Sequence, residues 1–175
     1  MDESELRGQL ERLHAASYGW ALSCCAHDPA EAEDVLQTAY LKILDGRARY
    51  DGRSALKTWL FAVIRHTAAD ERRRHWLRRL RLEGFTREHE ANREPPRQGH
   101  SQELSELAGV LREALKRLPR RQQEVLHLAF YQDLSLQEAA EAMGVTVGSA
   151  RTHYERGKAR LREWFKQSEN FDEYR

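Results

Sequence analysis

The stretch SLQEAAEAMGVTVGSARTHYERGKARL, residues 135–161, leaves little choice of local structure: two helices meeting at a tight turn. Ser135 and Glu138 are spaced as a capping box, in which the hydroxyl accepts one backbone N–H and the carboxylate returns to the cap's own. Ala140 is small where two helices must approach, and Gly144, four residues on, tolerates the positive φ of a sharp turn. Thr146 is placed to cap the second helix, whose Val147, Ala150, Tyr154, Leu161 and Phe165 recur at core-facing spacing. Its other side carries Arg151, His153, Arg156, Lys158, Arg160 and Arg162. A small, polar first turn followed by arginine suits entry into a DNA major groove. An ordinary helical hairpin with a solvated basic face is the competing explanation. The arrival of cap, small residue, turn glycine and basic helix in register favours DNA binding.

The rest of the chain is helical in pattern as well. Leu6, Leu10, Leu13, Ser17 and Ala21, continued by Trp20 and Cys24, predict a first helix reaching to about Ala26. Asp28, Pro29 and Glu31 mark the start of a second, with Ala32, Val35, Leu36, Ala39, Ile43 and Leu44 as its buried stripe and Gly46 at its end. Ser54 is placed to cap a third, long helix carrying Leu56, Trp59, Leu60, Val63, Ile64 and Thr67. Residues 83–103 lack apolar periodicity and contain Pro95, Pro96 and Gly99, which predicts a flexible linker. Periodicity resumes at Leu104, Leu107, Ala108, Leu111 and Leu115, and again at Val125, Leu128 and Ala129. No run alternates with the period of a strand. The expected fold is all-α: a helical domain over 1–82, a linker over 83–103, a helix-turn-helix domain over 104–167 and an acidic tail over 168–175.

Composition excludes more than it proposes. Charged residues are 33% of the chain but the net charge is only +1, so the case for nucleic acid rests on where the charge lies. Cys24 and Cys25 are adjacent, giving neither a disulfide framework nor metal-ligand spacing, and the eight histidines are scattered without a paired ligand motif. No metal, cofactor or small-molecule substrate is expected. Residues 1–16 are polar and acidic, unlike a secretory signal, and no apolar run approaches membrane-spanning length, so the expected location is cytoplasmic.

Between residues 65 and 81 seven arginines (65, 72, 73, 74, 78, 79, 81) face two acids, with His66, His75 and Trp76 interleaved. A helix C-terminus favours cations in any case, so a solvated helix end and a phosphate-tracking surface are equally open from this segment alone. Upstream, Tyr50, Trp59 and Phe61 offer stacking surface for unpaired bases. Two basic surfaces on two small domains fit two separated DNA segments, each contact raising the local concentration for the other.

Three stretches carry a family resemblance. AEDVLQTAYLKI (residues 32–43) and YDGRSALKTWLFAVIRHTAADERRR (50–74) resemble region 2 of the extracytoplasmic-function sigma factors of bacterial RNA polymerase, and residues 115–163, from LKRLPRR to ARLRE, resemble their region 4. The resemblance implies a transcription initiation subunit, not an enzyme, that joins core RNA polymerase, directs it to promoter DNA and helps open the duplex. It implies that Asp34, Val35, Leu36 and Gln37 lie in the segment that docks on the largest polymerase subunit. Asp34, Gln37 and Lys42 fall off the buried stripe and are free to meet a partner. It further implies that the loop Tyr50, Asp51, Gly52, Arg53 and Ser54 captures a flipped base of the downstream (−10) element, flanked by His66, Asp70, Arg73 and Arg74. Arg151, Thr152, His153 and Arg156 would read the upstream (−35) element, with Thr146, Ser149 and Lys158 completing that surface.

The chain departs from the family pattern at His66, where Asn is usual, at Thr38, where an acid is common, and at His153, where a basic residue is common. Glu155, on the same helix, either accepts from a cytosine amine or points away. Such factors are commonly held by an anti-sigma protein, often membrane-bound, which makes one an expected partner. The alternative is a stand-alone helix-turn-helix regulator, which leaves the second helix and the arginine-rich segment without a task.

Overall fold

The computed structural model describes residues 2–82, 111 and 113–167, and every regular element among them is helical. The chain divides into two compact units, Met1–Pro95 and Pro96–Arg175. The linker expected over 83–103, the helix start over 104–110 and the acidic tail over 168–175 lie outside the described residues.

In the first unit α1 (Glu3–Arg12) begins at Asp2, whose carboxylate accepts the Glu5 N–H at 2.7 Å. The single first helix expected from the periodicity is instead two, α1 and α2 (His14–Cys24), broken at Leu13. There ψ relaxes to −1°, yet the Leu13 N–H still reaches the Gln9 carbonyl at 3.0 Å and the Ser17 N–H reaches Leu13 at 2.8 Å. The apolar spacing therefore survives the break, which is why the pattern hides it. Ala26 and His27 turn the chain at positive φ into α3 (Pro29–Leu44), where Asp28 accepts the Glu31 N–H at 3.0 Å and Pro29 fills the first turn. Gly46, at φ +68°, ends that helix as expected.

The helix α4 (Leu56–Leu82) starts after Ala55, whose carbonyl accepts the Trp59 N–H, so Ala55 rather than Ser54 occupies the cap position. Its buried side is Leu60, Phe61, Ile64, Thr67 and Ala68, rotated from the expected stripe. Phe61 belongs to the core and not to a stacking surface: it is wholly buried beneath Trp20, ring centroids 5.9 Å apart, and its carbonyl accepts the indole N–H at 2.9 Å. Trp20 and Phe61 are buried together with Val35, Leu36 and Ala39 in the core of the unit. Leu44, expected inside, is the last residue of α3 and is 44% exposed, whereas Ile43 before it is buried.

In the second unit Pro119 precedes α5 (Arg120–Phe130), followed by α6 (Leu136–Met143) and α7 (Val147–Gln167). The Ser135–Glu138 capping box forms with both arms, and Gly144 adopts φ +62° with the Val145 N–H returning to the Ala140 carbonyl at 3.0 Å. Ala140 and Ala150 are buried at the helix approach. The closest approach is elsewhere: Gly157 is buried, and a Cβ there would stand 2.9 Å from Leu126 Cδ1 and 3.3 Å from Gln122 Cβ. Glycine thus lets α7 lie against α5 at the cost of helix propensity.

Candidate nucleic-acid interface

The N-terminal turns of α7 present an open surface. Val147, Gly148, Ser149, Arg151, Thr152 and Arg156 are all exposed, Val147 at 42% although spacing placed it in the core. The Thr146 hydroxyl accepts the Ser149 N–H at 3.2 Å and meets the Ser149 hydroxyl at 2.9 Å, so both residues shape the helix start. Thr152 donates to the Gly148 carbonyl at 2.9 Å. Arg151 and Arg156 are the guanidinium groups this surface offers. His153 is half-buried. Lys158 is turned back, its ammonium 4.8 Å from the centre of the Tyr154 ring and 3.9 Å from Glu155. That pairing also shows where Glu155 points: along its own helix, with 61% of its side chain still exposed.

In the first unit, the loop before α4 is built around Tyr50. Its hydroxyl donates to the Ser54 carbonyl at 2.6 Å and its ring lies 5.3 Å from that of Trp59. Asp51 folds the loop tip by accepting the Arg53 N–H at 3.1 Å and pairing with Arg53 Nε at 3.3 Å, while Gly52 turns at φ +76°. Ile43, Gly46, Ala48, Arg49, Tyr50 and Asp51 line an open pocket of about 480 Å³ beside it. Along α4, His66, Asp70, Arg73 and Arg74 are exposed, Arg74 pairing with Glu71 at 2.6 Å. The loop, the pocket and Trp59 come together. Phe61 does not join them.

Residues 10–78 match the Sigma-70 region 2 family model and residues 108–161 match Sigma-70, region 4. Over 138 residues the chain is 33% identical to the ECF RNA polymerase sigma factor SigX of Bacillus subtilis, covering 77% of this chain and 71% of that one. The chain belongs to the ECF sigma factors. It is also 29% identical over 168 residues to RNA polymerase sigma factor YlaC of the same organism, covering 89% and 91%. Two solved structures share the fold. The sigma factor RpoE, in complex with the anti-sigma factor NepR from Bartonella quintana, gives a TM-score of 0.73 at 24% identity, over 94% of this chain and 98% of RpoE. CnrH, in complex with the cytosolic domain of CnrY, gives 0.61 at 22% identity, over 92% and 88%. The protein is thus an alternative sigma factor acting in transcription initiation.

On this sigma factor the segment expected to dock on polymerase divides by burial. Asp34 and Gln37 are exposed, whereas Val35 and Leu36 are buried at 0% and 3% and hold α3 from beneath. Lys42 is not free as its position off the stripe suggested. Its ammonium reaches Thr67 Oγ1 at 3.1 Å and Asp70 Oδ2 at 3.4 Å, leaving 24% of the side chain exposed. A residue expected on the polymerase side and one expected on the promoter side are therefore joined. Sequence reasoning missed the apolar part of this face, Leu41 at 56% exposure beside Gln37, although a leucine off the buried stripe was the available signal. A groove of about 440 Å³ runs next to it, lined by His14, Tyr18, Glu33, Leu36, Gln37 and Tyr40. His14 Nδ1 lies 3.3 Å from the Tyr40 hydroxyl, and burial pushes that phenol above its usual range, so it stays protonated. Among the described residues no cluster of histidine, cysteine or carboxylate could hold a metal, and no helix is long and apolar enough to cross a membrane.

Proposed function

We propose that the two units divide promoter recognition between them: the first docks on core RNA polymerase through the exposed side of α3 and captures the downstream element with residues 50–54, and the second reads the upstream element with α7. The observation that carries this reading is the pairing of two open surfaces, one on each unit, at the positions matched by regions 2 and 4. Asp34 and Gln37, with Leu41, form the polymerase face; Val35 and Leu36 position it and Lys42 ties it to α4. Tyr50, Asp51, Gly52, Arg53 and Ser54 shape the base pocket, with His66, Asp70, Arg73 and Arg74 along its flank. Arg151, Thr152 and Arg156 face the major groove, His153 sits at its edge, Thr146 and Ser149 hold the helix start, and Lys158 supports from the side. The protein is a binding subunit rather than an enzyme and works in the cytoplasm. The complex of RpoE with the anti-sigma factor NepR supports an anti-sigma protein as a partner of this chain.

Reconstituted transcription tests the whole reading: the chain plus core polymerase starts transcripts at a specific promoter, and the absence of core-dependent initiation overturns it. Two variants then test the sites. Arg151→Ala should cost about 1–3 kcal/mol at the upstream element and relax preference at one position, measured by competition among base-substituted promoters; an equal loss on all of them would make Arg151 a phosphate contact. Exchanging residues 50–54 for another family member's loop should change the preferred downstream element while leaving affinity for core polymerase intact. Unaltered choice would count against the pocket.

A further inference from the structure

The charge of Lys42 does not lie with the residues that surround it in sequence. Successive residues of a helix are about 100° apart, so Lys42 is turned that far from Leu41 and out of the side shared by Asp34, Gln37 and Leu41. Its ammonium has three hydrogens to donate, and two of them go to α4: to the Thr67 hydroxyl at 3.1 Å and to Asp70 Oδ2 at 3.4 Å. Thr67 is wholly buried, so the first of these bonds fixes where the ammonium sits. The main chain of the same residue works on the opposite wall. The Lys42 carbonyl accepts the Ala48 N–H at 2.8 Å, and Ala48 lines the pocket beside residues 50–54. One residue thus holds both the chain that enters the loop and the helix that flanks it.

Asp70 is what gives the side-chain bridge a purpose. Steps of three and four residues run from His66 through Asp70 to Arg73 and Arg74 on the exposed side of α4, and Asp70 stands in the middle with 59% of its side chain exposed. The neighbouring acid, Glu71, is paired with Arg74 at 2.6 Å. Among the described residues Lys42 is the cation that pairs with Asp70. Promoter DNA presents a row of phosphates, one charge per about 1.7 Å of axis in the duplex, so a bare carboxylate on a side that approaches it repels and a paired one does not. An ion pair as exposed as this one adds little to the stability of the fold. Its effect falls on what comes up against it.

We propose that Lys42 is a positioning residue for promoter binding: it neutralises Asp70 and fixes it beside Thr67, so that the side of α4 carrying His66, Asp70, Arg73 and Arg74 meets DNA without a repelling charge. This deepens the reading of α4 as the flank of the downstream element and rests on it. The test uses holoenzyme assembled from the full chain and core polymerase, on a promoter fragment carrying both elements. Lys42→Met keeps the aliphatic stem and loses the charge, and should weaken promoter binding about five-fold at about 50 mM salt. One charge changes the salt slope by roughly 0.7–0.9, so the loss should shrink to about two-fold at about 200 mM. Asp70→Asn added to Lys42→Met removes the repulsion and should bring binding back to within about two-fold of the parent. Asp70→Asn alone frees the ammonium for a phosphate and should tighten binding about three-fold at about 50 mM salt. The melting temperature should move little in any of the three.

A Lys42→Met loss that Asp70→Asn does not reverse overturns the proposal, whether because Lys42 only supports the fold or because Asp70 itself reads a base. Unchanged promoter binding by Lys42→Met overturns it too. A fall in affinity for core polymerase, with promoter binding by the assembled holoenzyme preserved, does the same and returns Lys42 to the polymerase face. Exchange of residues 50–54 separates the two levels: if that exchange shifts promoter choice and Lys42→Met has no effect, the flank of the pocket stands and only the role of Lys42 falls.

Discussion

Replacing both Arg120 and Arg121 with alanine should destabilise the second unit by about 3 kcal/mol, measured by chemical denaturation, and weaken promoter binding with it. The reason is Glu124, a carboxylate with only 1% of its side chain exposed. Arg120 Nε lies 2.9 Å from one of its oxygens and Arg121 Nη1 lies 3.3 Å from the other. Taking both cations away leaves a buried negative charge without them, and desolvation of that charge is the dominant cost. The two arginines are 39% and 43% exposed, which tempers the Coulomb gain and puts the effect at the lower end of the range for broken buried pairs.

The reverse deletion should be milder, because Glu124→Leu leaves guanidinium groups that already reach water. Adding Glu124→Leu to the double variant should therefore recover most of the lost stability. A double variant as stable as the parent would show that other contacts carry the carboxylate. The effect reaches promoter recognition through geometry: Arg121 also donates to the carbonyl of Met143 at 3.3 Å, the last residue of α6 before the Gly144 turn. The clasp holds the turn that leads into α7.

What could be read from the sequence was what is decided locally. The capping box at Ser135, the left-handed Gly144 and the Thr146 cap each depend on residues within a few positions of one another, and all three formed as expected. The same holds for Asp28 and Gly46 around α3. What could not be read depends on distant partners. Phe61 and Trp59 are two residues apart on one helix, and only Trp20, far earlier in the chain, decides that Phe61 goes inside. Lys42 is polar and off the buried stripe, but its long arm finds Asp70, 28 positions later. Gly157 gives no local signal of its role, because the side chain it makes room for is Leu126 on another helix. The capped start of α7 and its exposed Arg151 and Arg156 were legible for the same reason, whereas which of its side chains turn back, as Lys158 does, is settled by a neighbouring ring.

Trp20→Ala should cost the first unit about 3–5 kcal/mol. The indole is completely buried, stacks on Phe61 and donates to that residue's carbonyl, so its loss opens a cavity and removes a hydrogen bond at the centre of the α2–α4 contact. A loss of that size is a large fraction of the stability of a small domain. Trp20→Phe keeps most of the burial and gives up the N–H bond, so it should cost nearer 1 kcal/mol. Because the second unit has its own buried residues in Val125, Leu126, Leu128 and Met143, it should keep its melting transition while the transition of the first unit falls. Calorimetry on the full chain reads both together. Trp20→Ala should thus abolish association with core polymerase yet leave α7 folded and able to hold the upstream element weakly. If both transitions fell in step, the two units would not fold independently, and the division of promoter recognition between them would have to be redrawn.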